Sequence, residues 1–364
     1  MAQDPKIAYV FLRNAHFGPR LASSVELCVR DLILHSRYRG STLVICPPVD
    51  KPFEGVEIAT VPGASIGGNF GKAWAVARLL KRRKIDLAIV ENHLPAAALI
   101  AAASGARVLL HSHAYENAPR GAADRASARL KVAPLSGFAF VSEDCLNQFR
   151  SNFPFARKLM RAIPNGLDVN EWSARGPKEQ SILSVGRALE DKGHLEAVRA
   201  IARTLATRPN WSARFILSAV DREPQTVRAL HDAAQASGGR IRVDANLPYD
   251  EVKSAWERAA VGMALTKTPE PFGRTALEAL ASGAALITSG LGGLAEVCGE
   301  AAVKVSPQDA GRLAGELGAL LDSPDKRAEL AKAGRDRAEA LFDIGAVAQR
   351  MDDFVATLVE GPRQ

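Results

Sequence analysis

Cysteine is scarce in this chain. Its four cysteines (Cys28, Cys46, Cys145, Cys298) are scattered through 364 residues with no C-x-x-C pair, so they suit neither a disulfide framework nor a zinc site and fit a reducing compartment. Long apolar runs are missing too. The longest, Leu94 to Ala103, is rich in alanine and too short to span a bilayer, and the polar start Met1 to Lys6 does not read as a signal peptide. The protein is therefore expected to be cytoplasmic, at most peripheral at the inner face of the cytoplasmic membrane. No internal repeat of solenoid period occurs. No block of like charge exceeds Lys81-Arg82-Arg83-Lys84, and that cluster closes a predicted helix, where cations favour the dipole.

What is present is an ordinary globular composition, 47% hydrophobic and 24% charged, in a chain long enough for two domains. Charge is unevenly shared. Residues 1–170 carry 22 Lys+Arg against 13 Asp+Glu, whereas the remainder has 25 against 27. A basic first half can face anionic lipid or an acidic acceptor; equally, arginine richness can be a compositional habit. No nucleic-acid partner is expected.

Short apolar segments alternate with helical patterns. The first half predicts strands at Ile7 to Leu12, Thr42 to Cys46, Leu87 to Val90, Arg107 to Leu110 and Phe138 to Val141, with helices from Leu21, Lys72 and Pro95. The turn-rich Pro164-Asn165-Gly166 then marks a domain boundary. A second alternation follows: strands at Ile182, Phe215, Ile241, Val261 and Ala284, helices at Gly193, Pro224 and Tyr249, and long helical patterns at Ala310 to Leu341 and Val347 to Val359. Such a rhythm implies parallel β-α-β units, whose ligands bind beyond the carboxyl ends of the strands.

The richest stretch is TPEPFGRTALEALASGAALITSGLGGLAEV, Thr268 to Val297. Pro271 and Gly273 break the chain just after Glu270 and put it on a loop. TALEALASG opens a helix, with Glu278 in an early turn and Gly283 as its stop. Two carboxylates thus flank a helix N-terminus, whose N–H groups can hold a phosphate while the carboxylates accept hydrogen bonds from sugar hydroxyls. Directly after the strand at Ile182 comes GRALEDKG, Gly186 to Gly193. Its Arg187 and Lys192 can reach one diphosphate from two sides and neutralise charge on a leaving group.

These segments resemble the retaining glycosyltransferases of family 4, which have an E-x7-E region, a G-R-x-x-x-x-K-G motif and an I-P-N-G-(V/L)-D turn closing the first domain. The resemblance implies an α/β GT-B fold of two facing Rossmann-like domains with parallel sheets. Residues 1–166 would form the N-terminal, acceptor-side domain and 167–345 the donor-binding domain, with the helix of 346–364 returning to the first. It further implies that Arg187 and Lys192 hold the diphosphate, Glu270 contacts donor-sugar hydroxyls and Glu278 the ribose. Phe272, Gly273, Arg274 and Thr275 line the donor beside Gly186, and backbone near Leu247 reads the base. The Arg274 side chain, at a position often apolar in the family, has no assigned role.

In LLHSHA, Leu109 to Ala114, the resemblance makes His113 a donor-site histidine, with His111 pointing into the sheet. His93 also closes a strand. The family's Gly-Gly pair after the first strand is reduced to Gly18 followed by proline, with Arg20 able to compensate. VENHLP and LLHSHAYENAPRG are similar to segments of bacterial cell-envelope transferases. The implied activity is transfer of a sugar from a nucleoside-diphosphate sugar, UDP before GDP, to a glycan or lipid-linked acceptor such as lipopolysaccharide core. Without a D-x-D motif no metal or other cofactor is expected. Two other readings share these residues: a sugar-nucleotide epimerase of the same fold, and a non-catalytic partner subunit.

Overall fold

The computed structural model describes residues 4–12, 15–19, 22–61, 68–172 and 177–361. They form two compact units: 1–166 together with 344–364, and 167–343.

The first unit holds seven parallel strands: β1 (Ile7–Val10), β2 (Thr42–Cys46), β3 (Glu57–Thr60), β4 (Leu87–Glu91), β5 (Arg107–Ser112), β6 (Gly137–Phe140) and β7 (Leu159–Ala162). Their order is β3-β2-β1-β4-β5-β6-β7. Helices α1 (Ser24–His35), α2 (Gly68–Arg83), α3 (Leu94–Ser104), α4 (Gly121–Val132) and α5 (Glu143–Asn152) connect them. Strands β1, β2, β4 and β6 are buried along their whole length, as continuous apolar segments must be in a parallel sheet covered on both faces. Ser23 starts α1 with a capping box: its side chain accepts from the helix while Glu26 reaches back to the Ser23 N–H.

In the second unit, β8 (Glu179–Arg187), β9 (Ser212–Ser218), β10 (Ile241–Ala245), β11 (Ala259–Ala264), β12 (Ala285–Thr288) and β13 (Ala302–Lys304) build a parallel sheet of order β10-β9-β8-β11-β12-β13. Around it lie α6 (His194–Leu205), α7 (Pro224–Gln235), α8 (Tyr249–Arg258), α9 (Arg274–Ala281), α10 (Gly293–Cys298), α11 (Ala310–Asp322) and α12 (Pro324–Phe342). The ammonium of Lys178 donates to the carbonyls of Glu257 and Ser282 at 2.9 and 2.7 Å, so one side chain satisfies the frayed ends of both α8 and α9. Burial lowers its pKa to about 8.

The pattern at 310–341 is two helices, not one. Pro324 cannot continue a helix from Ser323, and Ser323 instead caps α12 by accepting from Lys326 N at 3.2 Å. Sequence periodicity also leaves β3, β7, β13, α4, α5 and α10 unmarked. Strands β3 and β7 are edges of four residues each, largely exposed or half-buried.

The final helix, α13 (Ile344–Glu360), belongs to the first unit. Its Asp352 accepts from Ser36 Oγ at 2.6 Å and Arg37 N at 2.8 Å, and Arg107 donates to the carbonyl of Gly361 at 2.6 Å. Phe354 is fully buried, against the face of β6 that Gly137 leaves open. Phe354→Ala is expected to destabilise this unit by about 3–5 kcal/mol. Denaturant unfolding followed by a probe in the first unit measures that loss; an unchanged midpoint would show that α13 is dispensable to its core.

Candidate functional site

In the second sheet the chain runs outward from β8 through β9 and β10, then returns to the other side of β8 as β11. The carboxyl ends of β8 and β11 therefore flank a crevice of the kind in which doubly wound sheets bind ligands. Arg187 ends β8, and the loops leaving the two strands carry Lys192 and Glu270. They are tied together where Lys267 N and Thr266 Oγ1 donate to the carbonyl of Asp191 at 2.7 and 3.2 Å. A third loop joins through Glu270 N, which donates to Leu291 O at 3.1 Å. The Lys192 ammonium contacts the Glu270 carboxylate directly. Both are partly buried. Arg187 is exposed, and among the described residues its guanidinium pairs with no carboxylate.

Gly186 is bare for a packing reason. A Cβ there would lie 3.1 Å from Nε2 of His194. That nitrogen donates to Arg187 O at 3.1 Å, while Nδ1 accepts from Ser184 Oγ at 3.2 Å, so the ring is neutral. Burial pushes its pKa down to about 4.

Helix α9 begins at Gly273, whose φ of 98° and contact with Leu294 (2.5 Å from a would-be Cβ) leave no room for another residue. No side chain caps this N-terminus, and among the described residues the N–H groups of Gly273 and Thr275 have no hydrogen-bond acceptor. Phe272 anchors the turn from below, buried and edge-on to Phe342. Glu278 is only 3% exposed. Its Oε1 accepts from the Tyr249 hydroxyl at 3.0 Å and from Arg274 Nε at 3.1 Å, and Arg274 Nη2 reaches the same hydroxyl at 3.0 Å. The Arg274 side chain thus counters the burial that raises the Glu278 pKa. Leu247 lies half-buried on the β10–α8 loop, two residues before Tyr249.

The first unit contains a different cluster. Gly18 N donates to His16 O, and a Cβ on Gly18 would lie 2.1 Å from the carbonyl of Lys51; its bareness serves this close approach to the β2–β3 connection. Arg20 is outside the described residues. His93 accepts from Ala96 N at 3.1 Å and caps α3. The expectation that His111 and His113 point to different places is corrected. Residues two apart in extended chain share a face, and both rings lie on Glu91, at 3.3 Å (His111 Nδ1 to Oε1) and 3.0 Å (His113 Nε2 to Oε2). Asn92, at φ 56°, fixes the arrangement: its N–H donates to His111 O, and its side chain accepts from His113 N at 2.6 Å. The imidazoles hold the Glu91 carboxyl below its usual range despite burial, whereas burial lowers His113. Sequence reasoning missed Glu91; its pairing with His111 across β4 and β5 was the available signal.

Comparison with known proteins bears on both units. Residues 25–171 match the family model for glycosyltransferase family 4, and residues 170–337 that for glycosyl transferases group 1. The chain thus carries two successive glycosyltransferase-family domains, together spanning residues 25–337, in a GT-B fold. The fold matches a glycosyltransferase from Rickettsia africae at TM-score 0.82 (16% identity, 99% of this chain, 100% of that one) and Anabaena HepE in complex with UDP and glucose at 0.78 (19%, 97% and 100%). A Mycobacterium tuberculosis glycogen synthase is 31% identical over 56% of this chain, which spans about half (49%) of that enzyme's length. A GDP-mannose-dependent phosphatidylinositol monomannoside mannosyltransferase of Corynebacterium glutamicum is 24% identical over 78% of this chain and 79% of its own.

The His194 pKa has a consequence for the stability of the second unit. The ordinary value is about 6.5, so the unfolded chain takes up a proton between pH 6.5 and 4 that the folded ring refuses. Stability from this group is complete above pH 6.5 and falls as pH drops, by on the order of 3 kcal/mol. Denaturant unfolding across that window, compared between wild type and His194→Gln, is expected to show a shallower loss in the variant; equal slopes would refute the assignment.

Proposed function

We propose that this glycosyltransferase moves a sugar from a nucleoside-diphosphate sugar to a hydroxyl of a glycan or lipid-linked cell-envelope acceptor, with retention of configuration. The observation that carries the reading is the contact of Lys192 with Glu270 across the β8–β11 crevice, beside an exposed Arg187 and the uncapped N-terminus of α9. With donor bound, Lys192 and Arg187 turn to the diphosphate and Glu270 accepts from sugar hydroxyls. The two cations and the α9 N–H groups meet the charge that develops on the leaving diphosphate, so no metal is required there. Glu278, held by Tyr249 and Arg274, presents its remaining acceptor capacity to the ribose. The acceptor hydroxyl attacks from the face that the leaving group vacates.

UDP is the first choice of nucleotide and GDP the second. HepE is described with UDP, and the C. glutamicum relative is named for GDP-mannose. A lipid-linked acceptor, such as one of lipopolysaccharide core, and peripheral contact with an anionic membrane at the cytoplasmic face are supported by α2. Phe70 and Trp74 are 69% and 51% exposed there, one turn apart and in line with exposed Arg78 and Lys81, a combination suited to an anionic lipid interface.

Thermal melting against UDP-, GDP-, ADP- and dTDP-linked sugars without metal is expected to give one clear stabilisation, since a ligand of the native state raises its stability by mass action. Lys192→Ala and Glu270→Ala are each expected to lower kcat by on the order of 10² or more. Unchanged turnover in either, or no shift with any donor, would sink the reading. Trp74→Ala is expected to weaken co-sedimentation with vesicles containing phosphatidylglycerol and to leave donor binding unchanged; retention equal to wild type would remove the membrane contact.

A further inference from the structure

Lys267 lies on the loop leaving β11, three residues before Glu270, and its side chain is 20% exposed. Its ammonium is committed to the segment that joins β8 to α6, 2.8 Å from Glu196 Oε1 and 3.4 Å from Glu190 Oε1. Its backbone N–H donates to Asp191 O in that same segment, at 2.7 Å. One residue thus grips positions 190, 191 and 196, on both sides of Lys192. We infer that Lys267 is a positioning residue for Lys192: it acts through the turn that aims the Lys192 ammonium and not on the donor itself. The inference rests on the reading of Lys192 as a group that binds the diphosphate.

Lys192 needs such a support. It ends a single 3₁₀ turn, Glu190–Lys192, that no side chain caps. The turn is closed by Lys192 N donating to Leu189 O at 3.0 Å and Gly193 N to Glu190 O at 3.3 Å. A turn that short has little stability of its own. Helix α6, directly after it, is firm: Ala197, Val198 and Ile201 are buried in the core of the unit. Bound to Glu196 in the first turn of α6 and to Glu190 in the 3₁₀ turn, the Lys267 ammonium clasps the short turn onto the rigid helix. Lysine suits this task, since its three donors can serve two carboxylates at once. Among the described residues Lys267 is also the one cation paired with Glu196, whose Oε2 is buried without a partner. Hydrogen bonding to Glu196 raises the Lys267 pKa, which keeps the clasp charged. Glu270 follows in the same segment and meets the Lys192 ammonium. Residues 267–270 therefore fix both the backbone that carries Lys192 and the charge it faces. Such placement tolerates little error, because a displacement of about 1 Å can cost on the order of 10²-fold.

Lys267→Met keeps the aliphatic stem and the backbone bond to Asp191 and deletes both side-chain contacts. Amide hydrogen exchange, followed by mass spectrometry in the full chain without ligand, is expected to be about tenfold faster or more over residues 189–193 in this variant. An unchanged rate overturns the inference. Affinity for UDP, GDP, ADP and dTDP is then measured by calorimetry. Lys267→Met is expected to weaken the nucleoside diphosphate that the wild type binds by roughly tenfold or more, whereas Lys332→Met, at an exposed site on α12, leaves it unchanged. In a Lys192→Ala background the same Lys267→Met change is expected to alter affinity by less than about twofold, since residues that act through one group do not add. A merely structural lysine would cost the same in both backgrounds, and that result overturns the inference, as does wild-type affinity in Lys267→Met alone. If Lys267→Met does not fold, Glu196→Gln, which removes the charge that the clasp holds on α6, takes its place under the same criteria. Binding of none of the four by the wild type sinks the transferase reading, while the exchange rates still decide the placement of Lys192.

Discussion

The parallel pairing of β8 with β11 constrains every charged group in the second unit. Val261, Gly262 and Met263 lie in register with Ile182, Leu183 and Ser184, so the two strands deliver their carboxyl ends side by side. That pairing depends on tight packing behind it. A Cβ at Gly262 would sit 3.0 Å from Trp256 and 3.2 Å from Ala279, which means that α8 and α9 press on β11 as closely as a glycine allows. With the strand ends fixed, the following loops have few places to go, and Lys192 meets Glu270 although 78 residues separate them. The pair is mostly buried, its side chains 13% and 24% exposed, so its Coulombic gain is offset by the hydration both charges give up. Its value is positional: it holds two opposite charges ready where a polar ligand can separate them.

Much of this unit was legible in the sequence because its signals are local. Proline and glycine around Glu270 announce a loop, an Ala/Leu-rich run announces α9, and Arg187 and Lys192 follow an apolar segment of strand length. Each inference needs only a few neighbouring residues. The parts that were not legible are those set by contacts between distant segments. Nothing near Arg274 in the chain says that it pairs with a glutamate four residues on beneath a tyrosine 25 residues back. Gly18 and Gly186 are expected at the donor site by resemblance alone; the tight fit of each against the backbone of Lys51 and the ring of His194 respectively is set by distant segments.

The missed elements obey the same rule. Edge strands such as β3 and β7 pair with a single neighbour and need no continuous apolar run, so periodicity is silent about them. The final helix shows the reverse case. Its amphipathic pattern was plain, but its membership in the first unit depends on Asp352 meeting Ser36 and Arg37 more than 300 residues earlier.

Two buried glutamates separate the chemistry of the two units. Glu278 shares its oxygen with an arginine and a tyrosine, so its charge is balanced within the protein and its orientation is set by three mutual hydrogen bonds. Glu91 has only imidazoles. Burial costs a carboxylate the same hydration in both places, yet only one of them receives a permanent cation from the chain. A buried charge balanced by arginine stays balanced at every pH the fold survives, whereas burial of His113 disfavours the protonated ring that would balance Glu91. The first arrangement suits a residue that must always accept hydrogen bonds.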